Sequence, residues 1–101
     1  MKDLAQITKA LTCLYVEDEK DTREIVGGSI LPRFFAEVRS AQDGNEGIAL
    51  YEAKKPDIII TDLNMPKLNG IEMIRAIRES DEEVSIIIMS AHNDTNFFLN
   101  A

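Results

Sequence analysis

Asp62 closes an apolar run, Ile58-Ile59-Ile60-Thr61, and is followed by Pro66, Asn69 and Gly70 and then by a helical pattern. Glu17 and Asp18 close a second run, Leu11 to Val16, and Ser90 closes a third, Val84 to Met89. Short continuous apolar runs are what strands buried in a parallel sheet look like. Side chains at the C-terminal ends of such strands lie where open α/β sheets bind their ligands. Three carboxylates on one edge would repel, raise one another's pKa and destabilise the site. A hard divalent cation relieves that repulsion. Mg²⁺ prefers oxygen ligands and typically takes one or two carboxylates, a phosphate oxygen and several waters. A carboxylate beside such a cation points to phosphoryl transfer, with Asp62 attacking phosphorus to give an acyl phosphate. The Ser90 hydroxyl would then hydrogen-bond a phosphoryl oxygen.

The elements that must position these groups alternate along the chain. Leu11 to Val16 reads as a first strand and Thr22 to Leu31 as a helix with Ile25, Val26 and Ile30 on one face. Gly27-Gly28 weakens that helix by roughly 1 kcal/mol per glycine, and Pro32 ends it. Phe34 and Phe35 are expected as core plugs at its end. Glu37 to Ala41 is a shorter, more polar strand, suited to a sheet edge. Asp43-Gly44-Asn45-Glu46 and Asn69-Gly70-Ile71-Glu72 both have capping-box spacing. The first opens a helix carrying Ile48, Leu50 and Tyr51. The second opens a helix with Ile71, Ile74 and Ile77 at helical intervals, expected to face the core. Val84 to Met89 is expected as a fourth buried strand. The order β-α-β-α-β-α-β predicts an α/β fold, a parallel sheet with helices on both faces. Right-handed crossovers then bring the first, third and fourth strand ends together.

Composition narrows the function. At 101 residues the chain is read as one domain, large enough to bury roughly 60–70% of its unfolded surface without disulfides or a structural metal. Eighteen acids against eleven bases give a net charge of −7, which argues against nucleic-acid binding through this segment. No run approaches the ~18 apolar residues of a membrane span. The single cysteine, Cys13, is read as core filler, and its being alone fits a reducing cytoplasm. His92 has no second histidine to pair with and is read as a solvent-facing loop residue.

Leu-Tyr-Val-Glu17-Asp18-Glu19, Ile-Ile-Ile-Thr-Asp62-Leu-Asn-Met-Pro66-Lys-Leu-Asn-Gly70 and Ile-Ile-Ile-Met-Ser90-Ala91-His92 together resemble the receiver domain of two-component response regulators. The motifs cover nearly the whole chain, in the family's order. The resemblance implies a flavodoxin-like, doubly wound sheet of order 2-1-3-4. It implies that Asp62 accepts a phosphoryl group from a histidine kinase or a histidine phosphotransfer protein in the cytoplasm. Glu17, Asp18, Asp62 and the backbone carbonyl of Asn64 would hold Mg²⁺. Ser90 matches the family's switch hydroxyl, Ala91 the small residue beside the acceptor, and Asn64 and His92 the flanking positions that tune rates. Such a domain is a signalling switch with slow autodephosphorylation rather than a classical enzyme.

Receiver domains normally continue for ~20 further residues, the usual size of a small α/β domain. That segment adds a fifth strand and helix, a conserved lysine and an aromatic switch residue. A chain of 101 residues without them is expected to be a C-terminally incomplete receiver domain with impaired switching. Its fourth strand would be an edge, inviting a homodimer or strand exchange. The alternative reading is therefore a truncated, receiver-like interaction module. An aspartyl-phosphate hydrolase of the haloacid-dehalogenase kind would need a second Asp two residues after the nucleophile, where this chain has Asn64.

Overall fold

The computed structural model describes residues 8–62 and 69–89. Strand β1 (Thr12–Val16) is followed by helix α1. This opens as an α-turn over Lys20–Thr22, widens into a π-helix over Arg23–Ile30 and closes in a 3-10 turn over Leu31–Arg33. Then come β2 (Glu37–Ala41), α2 (Gly44–Ala53), β3 (Ile58–Thr61), α3 (Gly70–Ser80) and β4 (Ser85–Ile88). The sheet order is β2-β1-β3-β4 and every pairing is parallel. The register aligns Val16 with Ala41 on one side and with Thr61 on the other, and Thr61 with Ile88. The C-terminal strand ends are therefore level.

The side-chain alternation of β1 feeds two cores. Leu14 and Val16 point to the layer built by α2 and α3, packing with Ile59, Tyr51, Met73 and Ile77. Cys13 and Tyr15 point the other way, to Leu31 and Val26 of α1 and to Ile60 of β3. Leu14, Val16, Ile59 and Met73 are fully buried, each contributing about 1.5–3 kcal/mol by leaving water. Two glycines permit the close approach of helix to sheet. A Cβ on Gly47 would lie 2.7 Å from Met73 Sδ and 3.1 Å from Val16 Cγ2. One on Gly27 would collide with Ser40 Oγ and lie 3.0 Å from the Tyr15 ring.

Both capping predictions hold: Asp43 accepts from the Glu46 N–H at 2.8 Å and Asn69 from the Glu72 N–H at 2.9 Å. At the opposite edge of the sheet from the acidic cluster, Asp57 and Thr12 form a reciprocal clasp. Thr12 N–H donates to the Asp57 carboxylate at 2.8 Å, and Asp57 N–H donates to the Thr12 carbonyl at 3.0 Å.

Four expectations are corrected. In α1 the apolar face is not Ile25, Val26 and Ile30, because the π-helix repeats at five residues rather than four. The Leu31 N–H bonds the Val26 carbonyl, both side chains turn inward, and Ile25 (58% exposed) and Ile30 (42%) share the outer side. Phe34 is 39% exposed and only Phe35 joins the core, because the 3-10 turn ends the helix with just one ring directed at the sheet. In α3 the buried pair is Met73 and Ile77, spaced i and i+4, with Ile74 beside them, whereas Ile71 is 45% exposed. Finally, β4 is half covered rather than buried. Ile86 packs on the α2–α3 core, but Ile87, on the side of α1, is 46% exposed because α1 lies over β1, β2 and β3.

Candidate functional site

The parallel ladder continues one residue past β1, β3 and β4. Glu17 N–H donates to the Ala41 carbonyl at 3.0 Å, Asp62 N–H to the Val16 carbonyl at 3.2 Å and Met89 N–H to the Thr61 carbonyl at 2.9 Å. The first residue after each of these three strands is thus held by a ladder bond. The Thr61 hydroxyl, fully buried, donates to the Asp62 carbonyl at 2.8 Å and holds the peptide that follows.

This placement brings Glu17, Asp18 and Asp62 together, one carboxylate oxygen from each lying within 4.8 Å of the others. All three are partly buried. Burial, first, and then the neighbouring Asp18 and Asp62 raise the Glu17 carboxyl above the usual carboxylate range, against a lowering bond from the Glu19 N–H. The nearby Tyr15 phenol is pushed up to about 12, chiefly by burial and then by the charges of Glu17 and Asp62. Two residues bearing on one buried negative region are the electrostatic mark of a site that wants positive charge.

The donor set fits Mg²⁺. All three donors are hard carboxylate oxygens, the ligand type Mg²⁺ prefers, and they lie within 4.8 Å of one another. The sequence-derived members Asn64 and Ser90, together with Ala91 and His92, lie outside the described residues. Cys13 is a buried core residue at 1% exposure, its thiol raised by burial to about 12.

Two contributors escaped the sequence reading. Glu19 caps α1, accepting from the Asp21 and Thr22 N–H groups, and its own N–H donates to the Glu17 carboxylate. Arg23 directs Nη1 back at the Glu17 carbonyl, 2.9 Å, and the Asp18 carbonyl, 3.3 Å. A cation in the first turns of a helix opposes the helix dipole, and that oddity was the available signal.

A family profile for the response regulator receiver domain matches residues 13–101. The chain belongs to the response regulator receiver domain family. The transcriptional regulatory protein DegU of Brevibacillus brevis is 35% identical over 63 residues, 62% of this chain and 27% of that protein. The response regulator MprA of Mycolicibacterium vanbaalenii is 30% identical over 83 residues, 82% of this chain and 36% of that protein. The chain thus spans roughly a quarter to a third of the length of these curated relatives. The crystal structure of the N-terminal domain of an uncharacterized Wolinella succinogenes protein superposes with a TM-score of 0.81. It is 42% identical, with 91% of this chain and 73% of that chain covered. The receiver fold, with its parallel sheet of order 2-1-3-4 between helical layers, is therefore established, and receiver domains act as signalling switches. Among the described residues no helix is long and apolar enough to cross a membrane.

Proposed function

We propose that this receiver domain accepts a phosphoryl group on Asp62 from a phosphohistidine of a histidine kinase or phosphotransfer protein in the cytoplasm. One observation carries the reading: three carboxylates from two separate strand ends converge within 4.8 Å at the ligand-binding edge of the sheet. Glu17, Asp18, Asp62 and the Asn64 carbonyl would hold Mg²⁺, which when bound would offset negative charge on the transferring phosphoryl group. The Asp62 carboxylate oxygen forms the new bond to phosphorus while the phosphorus–nitrogen bond of the donor breaks. The electron pair leaves on the imidazole nitrogen, which takes up a proton. Water later attacks the same phosphorus, releasing inorganic phosphate and restoring the carboxylate. The ladder bond from Asp62 N–H to Val16 keeps the nucleophile in place through both steps. Ser90 serves as the hydroxyl that reads the phosphoryl oxygen. The negative charge of the chain suits protein partners rather than nucleic acid.

The test is incubation with Mg²⁺ and a small acyl phosphate, followed by intact mass. The wild-type chain is expected to gain one phosphoryl group and Asp62→Asn none. An adduct that persists in Asp62→Asn, or one that forms equally in chelator, would overturn the assignment.

A further inference from the structure

We propose that Arg23 is a positioning residue of the metal centre, fixing the peptide planes that aim the Glu17 and Asp18 carboxylates; this rests on the Mg²⁺ reading above. Its Nη1 donates to two successive peptide oxygens, Glu17 at 2.9 Å and Asp18 at 3.3 Å. Holding the carbonyl of residue 17 fixes the plane between Glu17 and Asp18, and holding that of residue 18 fixes the next plane. The two planes together set φ and ψ of Asp18 and hence the direction of its side chain. Hydrogen bonds from a charged donor are the strong kind. The guanidinium is partly buried, where water competes less.

Three further contacts close the loop around it. The Arg23 N–H donates to the Glu19 carbonyl at 2.9 Å, so the residue that holds the loop is itself tied to the loop's far end. Glu19 caps the helix from which Arg23 projects. The Glu17 N–H is bonded to β2 through Ala41. Arg23 bonds the peptide oxygens rather than the carboxylate oxygens of Glu17 and Asp18. It therefore orients these acids without competing for the atoms a cation would use. This explains a cation placed against the helix dipole.

The experiment is calorimetric titration of Mg²⁺ alone into the full chain, for wild type, Arg23→Ala, Arg23→Lys and Asp57→Ala. Loss of a group that orients metal ligands typically weakens affinity about 10- to 100-fold. Arg23→Ala is expected to weaken Mg²⁺ binding at least about 10-fold, and Arg23→Lys, which keeps a cationic donor, to recover most of it. Asp57→Ala breaks the Thr12 clasp at the opposite sheet edge. It loses stability without touching the loop, and its Mg²⁺ affinity should stay at the wild-type value. If Arg23→Ala does not fold, Arg23→Gln, too short to reach both carbonyls, is expected to show the same weakening. Wild-type affinity in the folded alanine or glutamine variant would overturn the proposal, as would an equal loss in Asp57→Ala. A wild-type chain that takes up no Mg²⁺ would instead overturn the metal reading itself, and this inference with it.

Discussion

Replacing Glu17 with glutamine should stabilise the metal-free protein and weaken its response to Mg²⁺, so that the cation removes about 1 kcal/mol of the variant's advantage. The carboxylate oxygens of Glu17, Asp18 and Asp62 lie within 4.8 Å of one another. At that separation two unit charges repel by about 0.9 kcal/mol in water and about 3.5 kcal/mol at an effective dielectric of 20. All three residues are only partly buried, so screening puts the value near the lower limit, about 1 kcal/mol for each pair. Glu17 faces two such partners. Glutamine keeps the shape and an oxygen that can accept from the Glu19 N–H, so the metal-free protein should gain about 1–2 kcal/mol at pH 7. For a domain of this size that is a rise in Tm of roughly 5–10 °C. With Mg²⁺ at ten times its Kd, the wild type should gain about 1.4 kcal/mol. A variant whose affinity has dropped at least 10-fold should gain at most about 0.4 kcal/mol. The assay is thermal unfolding by circular dichroism in chelator and across a Mg²⁺ series. If Glu17→Gln is destabilised in chelator, or keeps the wild-type response to Mg²⁺, the carboxylates are not in mutual repulsion around a cation site.

Further expectations follow from the packing and the titratable groups. Gly27→Ala should cost about 1–3 kcal/mol in urea unfolding, because its Cβ meets Ser40 Oγ and the Tyr15 ring. Gly28→Ala, with nothing within 4 Å, should instead stabilise by about 0.4–1 kcal/mol. Met73→Ala, at a fully buried position beneath Gly47, should cost about 2–5 kcal/mol by the same measurement. Stability in chelator should pass through a maximum as pH falls from 7. Glu17, raised chiefly by burial, favours the fold most when protonated, so lowering the pH through its raised value towards the ordinary range adds stability. Glu19, Glu37 and Asp81 are held low by Thr22, Lys54 and Tyr51 respectively. Their contribution is present above the ordinary carboxylate range and is lost as pH drops through their depressed values. Urea midpoints across that range would show the rise and then the fall. A monotonic decline from pH 7 would contradict the Glu17 assignment.

The sheet was readable because its signals are local. Ile58-Ile59-Ile60-Thr61 and the first run are apolar on both faces, as strands covered on both sides must be. Asp43 and Asn69 announced their helices through a contact only three residues long. The meeting of Glu17, Asp18 and Asp62 was equally legible, since parallel topology puts strand ends on one edge. What failed was whatever depended on a departure from regular periodicity. Within the π-helical turn of α1, Gly27 lies against Tyr15 and Ser40, where three segments of the chain meet. Along that turn Val26 keeps the inward place expected of it, while Ile25 and Ile30 turn outward. Arg23 was missed for a related reason. Its partners are peptide oxygens, which have no signature in a sequence.

Among the described residues the two helical layers on the sheet are unequal. On one side α2 and α3 share a core with fully buried Met73 and Ile77, while on the other the described core rests on Leu31, Val26 and Phe35 beneath α1. The acidic loop hangs on the thinner layer, through the Glu19 cap and the Arg23 guanidinium. Regions with fewer buried contacts open at lower free energy than the domain as a whole. Amide hydrogens of α1 and of residues 18 and 19 should therefore exchange with solvent well before those of β1 and β3. The strand that ends at Asp62 and the acidic loop after β1 would then belong to different units of cooperative opening, and a ligand bound between them would have to slow exchange in both.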